Sequence, residues 1–213
     1  MYLIAVFVLS TGAGGGLGLV AYDVYRSVAR TMLVLMSVGV CALWPLVRLS
    51  QATPERIWRA AWQDFVVVVV PLLLICLPQS ASWMADWPLE VSIRLWMCLT
   101  LWAVAVSMLI ACAQRRGWSP AVSTMVCLLV CFGGALFAVF PPAANGGAIG
   151  VEVVGFRELV SAPTALLEMT QDRSWSGLNA RITDRHWLAL VPPGLAALVF
   201  GLTGVFAPGE RRA

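Results

Sequence analysis

Few side chains in this sequence have the chemistry of a catalytic or metal-binding site. The chain has one histidine, His186, which is too few for the multi-histidine sites that hold haem or metal in most membrane redox enzymes. Cys127 and Cys131 lie one helical turn apart, but no second cysteine pair completes a four-ligand set, and this favours packing over metal binding. We therefore predict no metal and no cofactor.

The absence of lysine excludes two further classes of chemistry. All 14 basic residues are arginines, against 11 acidic residues. A phosphate-binding P-loop needs a lysine ammonium group and Schiff-base catalysis needs a lysine amine, so the chain carries neither. No Gly-x-Ser-x-Gly motif is present, and a serine or cysteine nucleophile would need His186 as its base. The sequence predicts a protein that is not itself an enzyme, with an intramembrane enzyme as an alternative.

The elements that position these residues are predicted to be membrane spans. Apolar residues make up 60% of the 213 residues and charged residues 12%, whereas soluble domains contain about 45–50% and about 25%. The apolar residues fall in blocks near the ~20 residues that a helix needs to cross a bilayer. We predict one all-α transmembrane domain, 1–213, of about six spans. The spans cover 2–22, 31–47, 65–83, 91–112, 119–140 and 187–207.

The first predicted span contains a series of closely spaced glycines, Gly12, Gly14, Gly16 and Gly18. They form two overlapping G-x-x-x-G spacings, which are typical of closely packed transmembrane helices. The same stretch imitates a dinucleotide-binding fingerprint, but its acidic residue, Asp23, comes too early and no βαβ unit follows. We predict that these glycines serve helix packing.

Residues 53–62, between the second and third spans, are predicted to form a short amphipathic helix on the cytoplasmic surface. Thr53 is a typical N-cap residue, and Pro54 suits the first helical position. Glu55 lies near the positive end of the helix dipole and forms an i,i+4 pair with Arg59.

The loop 143–186 is the one sizeable region predicted outside the bilayer. In 156–169 the apolar residues lie near one helical face, and a proline interrupts the pattern. We predict a helix that is broken around the proline and that dips into the interface or re-enters the membrane against protein. The residues singled out for this outer segment are Phe156, Arg157, Glu158 and Pro163.

The arginines predict the orientation. With both termini in the cytoplasm, the cytoplasmic segments are 48–64, 113–118 and the C-terminal tail, which hold seven of the 14 arginines. Only the first outer loop, with Arg26 and Arg30, disagrees. Abundant Arg, Ala, Gly and Trp without Lys suggest a GC-rich bacterium, and we therefore predict a multi-pass protein of the inner membrane.

This plan of spans resembles the short six-helix permease subunits of ATP-binding-cassette exporters, including the haem-exporter-like and multicopper-maturation-type branches. The resemblance rests on the run 107–116, with its terminal pair of arginines, and on the start of the next helix at 119–124. Ser161-Ala-Pro163 is similar to a Ser-Pro element that precedes the last span in that family, and the terminal Arg211-Arg212 also fits.

The resemblance implies a permease subunit that moves a substrate with energy from a separate ATPase. It implies that 53–62 is the coupling helix that touches this ATPase, through Glu55, Arg56, Trp58, Arg59 and Trp62. The expected partners are lipid, the ATPase subunit and further copies or other membrane subunits, and no nucleic acid. The alternative is a structural or assembly subunit of a larger membrane complex, respiratory or photosynthetic.

Overall fold

The fold is almost entirely helical in the part of the chain that the computed structural model describes, residues 22–51, 56–81, 84–139, 159–173 and 179–206. The helices in chain order are α1 (Tyr22–Val38), α2 (Trp44–Ser50), α3 (Ile57–Cys76), α4 (Leu89–Arg115), α5 (Pro120–Val139), α6 (Ala162–Met169) and α7 (Val191–Phe206). One antiparallel pair of two-residue strands, β1 (Asp172–Arg173) and β2 (Asn179–Ala180), follows α6.

Four helical stretches among these residues are long and apolar enough to cross a membrane. They are Tyr25–Ser50, Ile57–Ser80, Leu89–Arg115 and Asp184–Gly204. They correspond to the predicted second, third, fourth and sixth spans. The predicted fifth span, 119–140, is the 20-residue helix α5. The first, 2–22, falls outside the described residues except for Tyr22. The all-α class is confirmed, and the helices fit a multi-pass membrane protein.

The second predicted span is longer than expected because helix replaces the predicted loop 23–30. A π-helical turn, Gly39–Leu43, joins α1 to α2. Within it the Trp44 N–H donates to the Gly39 carbonyl, five residues back, and the next residue is Pro45, which has no N–H to donate to the Cys41 carbonyl. The start of α1 holds Arg26 and Arg30, whose charges we took as a sign of a loop.

The predicted boundary between a surface helix at 53–62 and a span from 65 is wrong. Arg56 has non-helical backbone angles, and α3 then runs without a break from Ile57 to Cys76, through Pro71. No glycine or proline lies between Trp62 and Phe65, so nothing in the sequence ends the helix there. The predicted N-cap, Thr53, lies outside the described residues.

The helix α4 is the centre of the described bundle. It packs against α3 and α7 along its length and also touches α5 and α6. Its buried side chains include Leu95, Cys98, Leu99 and Trp102, each at most 1% exposed. Because one helix contacts most of the others, the ends of α4 bring together the chain segments that carry the charged residues.

The helix α6 lies across one end of the bundle, against α1, α4 and α5. Its buried side chains are Ala162, Ala165, Leu166 and Met169. Pro163 lies in the first turn of this helix and breaks nothing, which corrects the predicted break at this residue. The reason is that the first N–H groups of a helix have no partner inside it, so a proline is tolerated there.

Candidate functional site

The charged side chains lie at the two ends of the bundle. One end holds the end of α2, the start of α3 and the end of α4; among the described residues its arginines are Arg48, Arg56, Arg59, Arg115 and Arg116, and its one carboxylate is Asp64. We call this the basic end; its net charge is +4 over the described residues. The opposite end, which we call the balanced end, has five arginines (Arg26, Arg30, Arg94, Arg181, Arg185) and five carboxylates (Asp86, Glu90, Glu168, Asp172, Asp184) among the described side chains, and thus no net charge.

An ion pair joins α2 to α3 at the basic end. The Arg48 guanidinium donates from Nε to the Asp64 carboxylate and from Nη1 to the Gln51 amide oxygen at 3.1 Å. Next to this pair lies a cavity of about 10 Å³, also lined by Ser107 and Gln114, which is the volume that one water molecule needs. The pair therefore links the end of α2 to α3.

The predicted coupling residues have different surroundings. Arg56 and Arg59 are exposed at the basic end. Trp58 instead packs against α7, where a methyl group added at Gly204 would lie 3.3 Å from the indole ring. Trp58 is thus partly exposed and packs within the chain. Glu55 lies outside the described residues.

Trp62 lies on an exposed apolar stripe of α3. Its side chain is 61% exposed and meets Phe65 edge to face, with 5.5 Å between ring centroids. Val66, Val70 and Leu74 continue the same face at helical spacing, and each is at least half exposed. In a bilayer this stripe would contact lipid, and a tryptophan at its end would lie at the interface.

A network of two arginines, Arg26 buried and Arg30 partly exposed, holds the balanced end together. The Arg26 side chain is only 7% exposed; Nε donates to the Ala85 carbonyl at 2.9 Å and Nη1 to the Asp172 carboxylate at 3.3 Å. Arg30, one turn later, donates to the Thr170 carbonyl from Nε (3.0 Å) and Nη2 (2.7 Å). Its Nη2 also reaches the second oxygen of Asp172 at 2.5 Å. One carboxylate therefore links α1 to the segment after α6.

Asp172 is a site residue that the sequence alone does not predict. The signal that was present is the i,i+4 spacing of Arg26 and Arg30, which puts both guanidinium groups on one face of a helix. Their common partner lies more than 140 residues away, and nothing local in the sequence points to it.

A second charged contact anchors the start of α4 to the segment before α7. Arg94 donates to Glu90 at 2.8 Å, and its guanidinium carbon lies 4.0 Å from the centroid of the Trp187 ring. The arginine is 8% exposed, and the aromatic face compensates for part of the lost hydration.

His186 caps a helix and does not lie at the surface. The side chain is fully buried, and its Nδ1 accepts the Thr183 backbone N–H at 2.9 Å. This contact closes a capping box at the start of the 3₁₀ turn Asp184–Leu190.

A groove opens at the balanced end, between α1 and the end of α6. It has a volume of about 370 Å³ and is lined by Arg30, Thr164, Leu167, Glu168 and Gln171. It contrasts with the water-sized cavity at Arg48 and with a second cavity of about 20 Å³ between α3 and α4. The groove has the size of a small-molecule site.

The cysteines are buried in the helix bundle. All six are free thiols, and none is exposed to solvent. Within the described ranges no three histidine, cysteine or acidic side chains are grouped so that they could hold a metal ion. These cysteines therefore act as small apolar residues in the core.

Several predicted site residues lie outside the described residues. They are the packing glycines Gly12, Gly14, Gly16 and Gly18, and the outer-segment residues Phe156, Arg157 and Glu158. Comparison with known proteins gives no family: no family model matches the sequence, and neither a curated protein nor a solved structure matches it.

Proposed function

We propose that this chain is a permease subunit of an ATP-binding-cassette exporter, which moves a substrate across the bacterial inner membrane with energy from a separate ATPase subunit. The proposal takes the family from the resemblance described above and takes the partner-facing surface from the charges of the described residues. The four membrane-capable helices support its placement in a bilayer.

The observation that carries the proposal is the charge difference between the two ends. Counted over the described side chains, the basic end has a net charge of +4 and the balanced end has none. Cytoplasmic segments of membrane proteins carry the excess of arginine and lysine, so the basic end would face the cytoplasm. This is the side on which a soluble ATPase binds ATP.

The proposed contact surface consists of the exposed arginines of the basic end, Arg56, Arg59 and Arg116. Asp64, the one carboxylate described at this end, is engaged by Arg48 and does not neutralise them. An acidic patch on the ATPase would be the complementary surface, and such charge pairs chiefly speed association and select the partner. Trp58 and Trp62 are left out, because one packs on α7 and the other lies on the exposed apolar stripe.

A substrate path would require a second subunit. The two cavities between the helices at the basic end hold about 10 and 20 Å³, enough for single water molecules and too small for a transported solute. We therefore place the path between two copies of this chain, or between this chain and another membrane subunit.

The test is co-purification of the tagged chain with an ATPase from its own organism. The double substitution Arg56→Glu/Arg59→Glu reverses charge at the basic end and should abolish the association. Arg185→Glu reverses an exposed arginine at the balanced end and serves as the matched control. The proposal is supported if the ATPase co-purifies with the unchanged chain and with Arg185→Glu but not with the double variant. Equal recovery with all three proteins, or recovery of no ATPase with the unchanged chain, would refute it.

The second candidate is a structural subunit of a larger membrane complex, and the water-sized cavities favour it. A scaffold needs tightly packed helices and no path for a substrate. Recovery of the chain only within a large assembly of membrane proteins, with no ATP-hydrolysing component, would support this function over the permease.

A further inference from the structure

The exposed apolar stripe of α3, which runs from Trp62 to Leu74, begins next to two arginines. Arg59 precedes Trp62 by one turn, so the two side chains lie on the same face of the helix. Arg56 lies one turn further out, at the start of the helix, and both arginines are exposed. The helix therefore presents a cationic head, Arg56 and Arg59, and an apolar body on one surface.

The cationic head has no counter-ion among the described side chains of the basic end. The one carboxylate described there, Asp64, is engaged by Arg48. Basic residues next to a membrane span attract the anionic lipids of the cytoplasmic leaflet. In the membrane orientation of the proposed function, the cationic head lies at this leaflet. It is therefore in position to bind an anionic headgroup.

The length of the apolar body matches the depth of one leaflet. Leu74 follows Trp62 by 12 residues, which corresponds to about 18 Å of helix at 1.5 Å per residue. The hydrocarbon core of a bilayer is about 30 Å thick, so one leaflet contributes about 15 Å. The side chains along this length are each at least half exposed. An acyl chain could thus lie against the stripe over the whole depth of its leaflet.

The exposed face of α7 has a similar apolar body but no excess of positive charge. Trp187 is 47% exposed at the balanced end, and Leu195 and Leu202 belong to the apolar face that follows it. The charged residues before this tryptophan are Asp184 and Arg185, which are both exposed and of opposite sign. An anionic headgroup is therefore favoured at α3 and not at α7.

We propose that the exposed apolar stripe of α3 binds an anionic phospholipid of the cytoplasmic leaflet, with the phosphate at Arg59 and one acyl chain along the helix from Trp62 to Leu74. Arg59 is the arginine nearer to the apolar body, so Arg56 and Arg116 remain for the ATPase. The proposal rests on the membrane orientation in the proposed function, but it does not depend on an ATPase.

The test measures binding of single lipids to the purified full chain in detergent by native mass spectrometry. Phosphatidylglycerol, which is anionic, is compared with phosphatidylethanolamine, whose ammonium group cancels the charge of its phosphate. The unchanged chain should bind phosphatidylglycerol more tightly. Arg59→Gln should weaken this binding about fivefold, which is the contribution of one basic residue near an anionic membrane surface. Arg59→Lys keeps the charge and should keep most of the affinity.

The matched control is Arg185→Gln, which removes an exposed arginine next to the apolar face of α7 and should leave the phosphatidylglycerol affinity unchanged. Thermal unfolding checks that each variant is folded. Equal affinity of the unchanged chain for both lipids would overturn the proposal, as would an unchanged phosphatidylglycerol affinity in Arg59→Gln or an equal loss in Arg185→Gln. Soluble glycerophosphoglycerol that binds as tightly as the lipid would contradict the role of the acyl chain. Because no ATPase is present, failure of the co-purification experiment leaves this result intact.

Discussion

Gly133 and Gly134 are neighbours in α5 with opposite surroundings, so adding one methyl group to each tests how α5 packs against the chain that enters α6. A Cβ atom at Gly134 would lie 2.9 Å from Val160 Cγ1 and 3.0 Å from two backbone atoms, Val160 C and Ser161 N. A Cβ atom at Gly133 would meet only Leu129 of its own helix, at 3.7 Å. We therefore expect Gly134→Ala to destabilise the fold and Gly133→Ala to be tolerated.

The magnitude follows from these distances. Carbon atoms in ordinary contact are about 3.5–4.0 Å apart, so the methyl group at Gly134 overlaps backbone that cannot rotate away. Such overpacking costs about 1–3 kcal/mol. Replacing glycine by alanine in a helix also gains about 0.8–1 kcal/mol, but this gain is common to both variants and cancels in their difference. Gly134→Ala should thus unfold with a free energy roughly 1–3 kcal/mol below that of Gly133→Ala.

The assay is reversible unfolding in mixed detergent micelles, followed by circular dichroism, with both variants measured under identical conditions. The comparison between neighbours removes the effects of expression, detergent and helix propensity. Coincident unfolding curves, or a Gly134→Ala variant more stable than Gly133→Ala, would refute the close approach of α5 to Ser161.

Three further predictions concern the two ends and the core. Asp172→Asn removes the charge that Arg26 and Arg30 share and should lower the free energy of unfolding by about 1.5–3 kcal/mol in the same assay. The control Glu90→Gln, at a carboxylate that is 63% exposed, should lower it by at most about 1 kcal/mol. Equal losses in the two variants would contradict the network. Gly204→Val should crowd Trp58 and lower the free energy of unfolding by about 1–3 kcal/mol. In a double-mutant cycle, Trp58→Leu should relieve part of this loss. Strictly additive effects of the two substitutions would contradict the contact. The six native thiols should react with N-ethylmaleimide only after denaturation, as measured by intact-protein mass, and rapid labelling of the folded chain would contradict their burial.

The length of the hydrophobic runs predicted the helices best where arginine, glycine and proline residues mark the helix ends. The predicted fourth span, 91–112, lies within α4, and the predicted fifth, 119–140, nearly coincides with α5. Arginines and a turn with Gly117 at φ 66° separate these two helices, and proline starts the second. These are local features, and a local reading of the sequence is sufficient for them.

The predictions were wrong where charged residues pair with each other inside the helix bundle and do not lie in a loop. Arg26 and Arg30 suggested a loop, but a carboxylate far along the chain neutralises them within a helix. A surface helix at 53–62 was predicted to be separate from the span that starts at 65, but Asp64 between them pairs with Arg48 and α3 continues through it. Such pairs form only in the folded bundle, and the groove beside Arg30 likewise needs α1 and α6 together.

The proposed function requires that the chain is embedded in a membrane with its basic end in the cytoplasm. The most direct test is the labelling of single introduced cysteines in intact cells with a membrane-impermeant maleimide. We expect Arg185→Cys, at the balanced end, to be labelled from outside, and Arg59→Cys, at the basic end, to be labelled only after the cells are opened. The unchanged protein, whose thiols are buried, should stay unlabelled in both cases. Labelling of Arg59→Cys in intact cells, with Arg185→Cys protected, would contradict the orientation and the proposed function built on it.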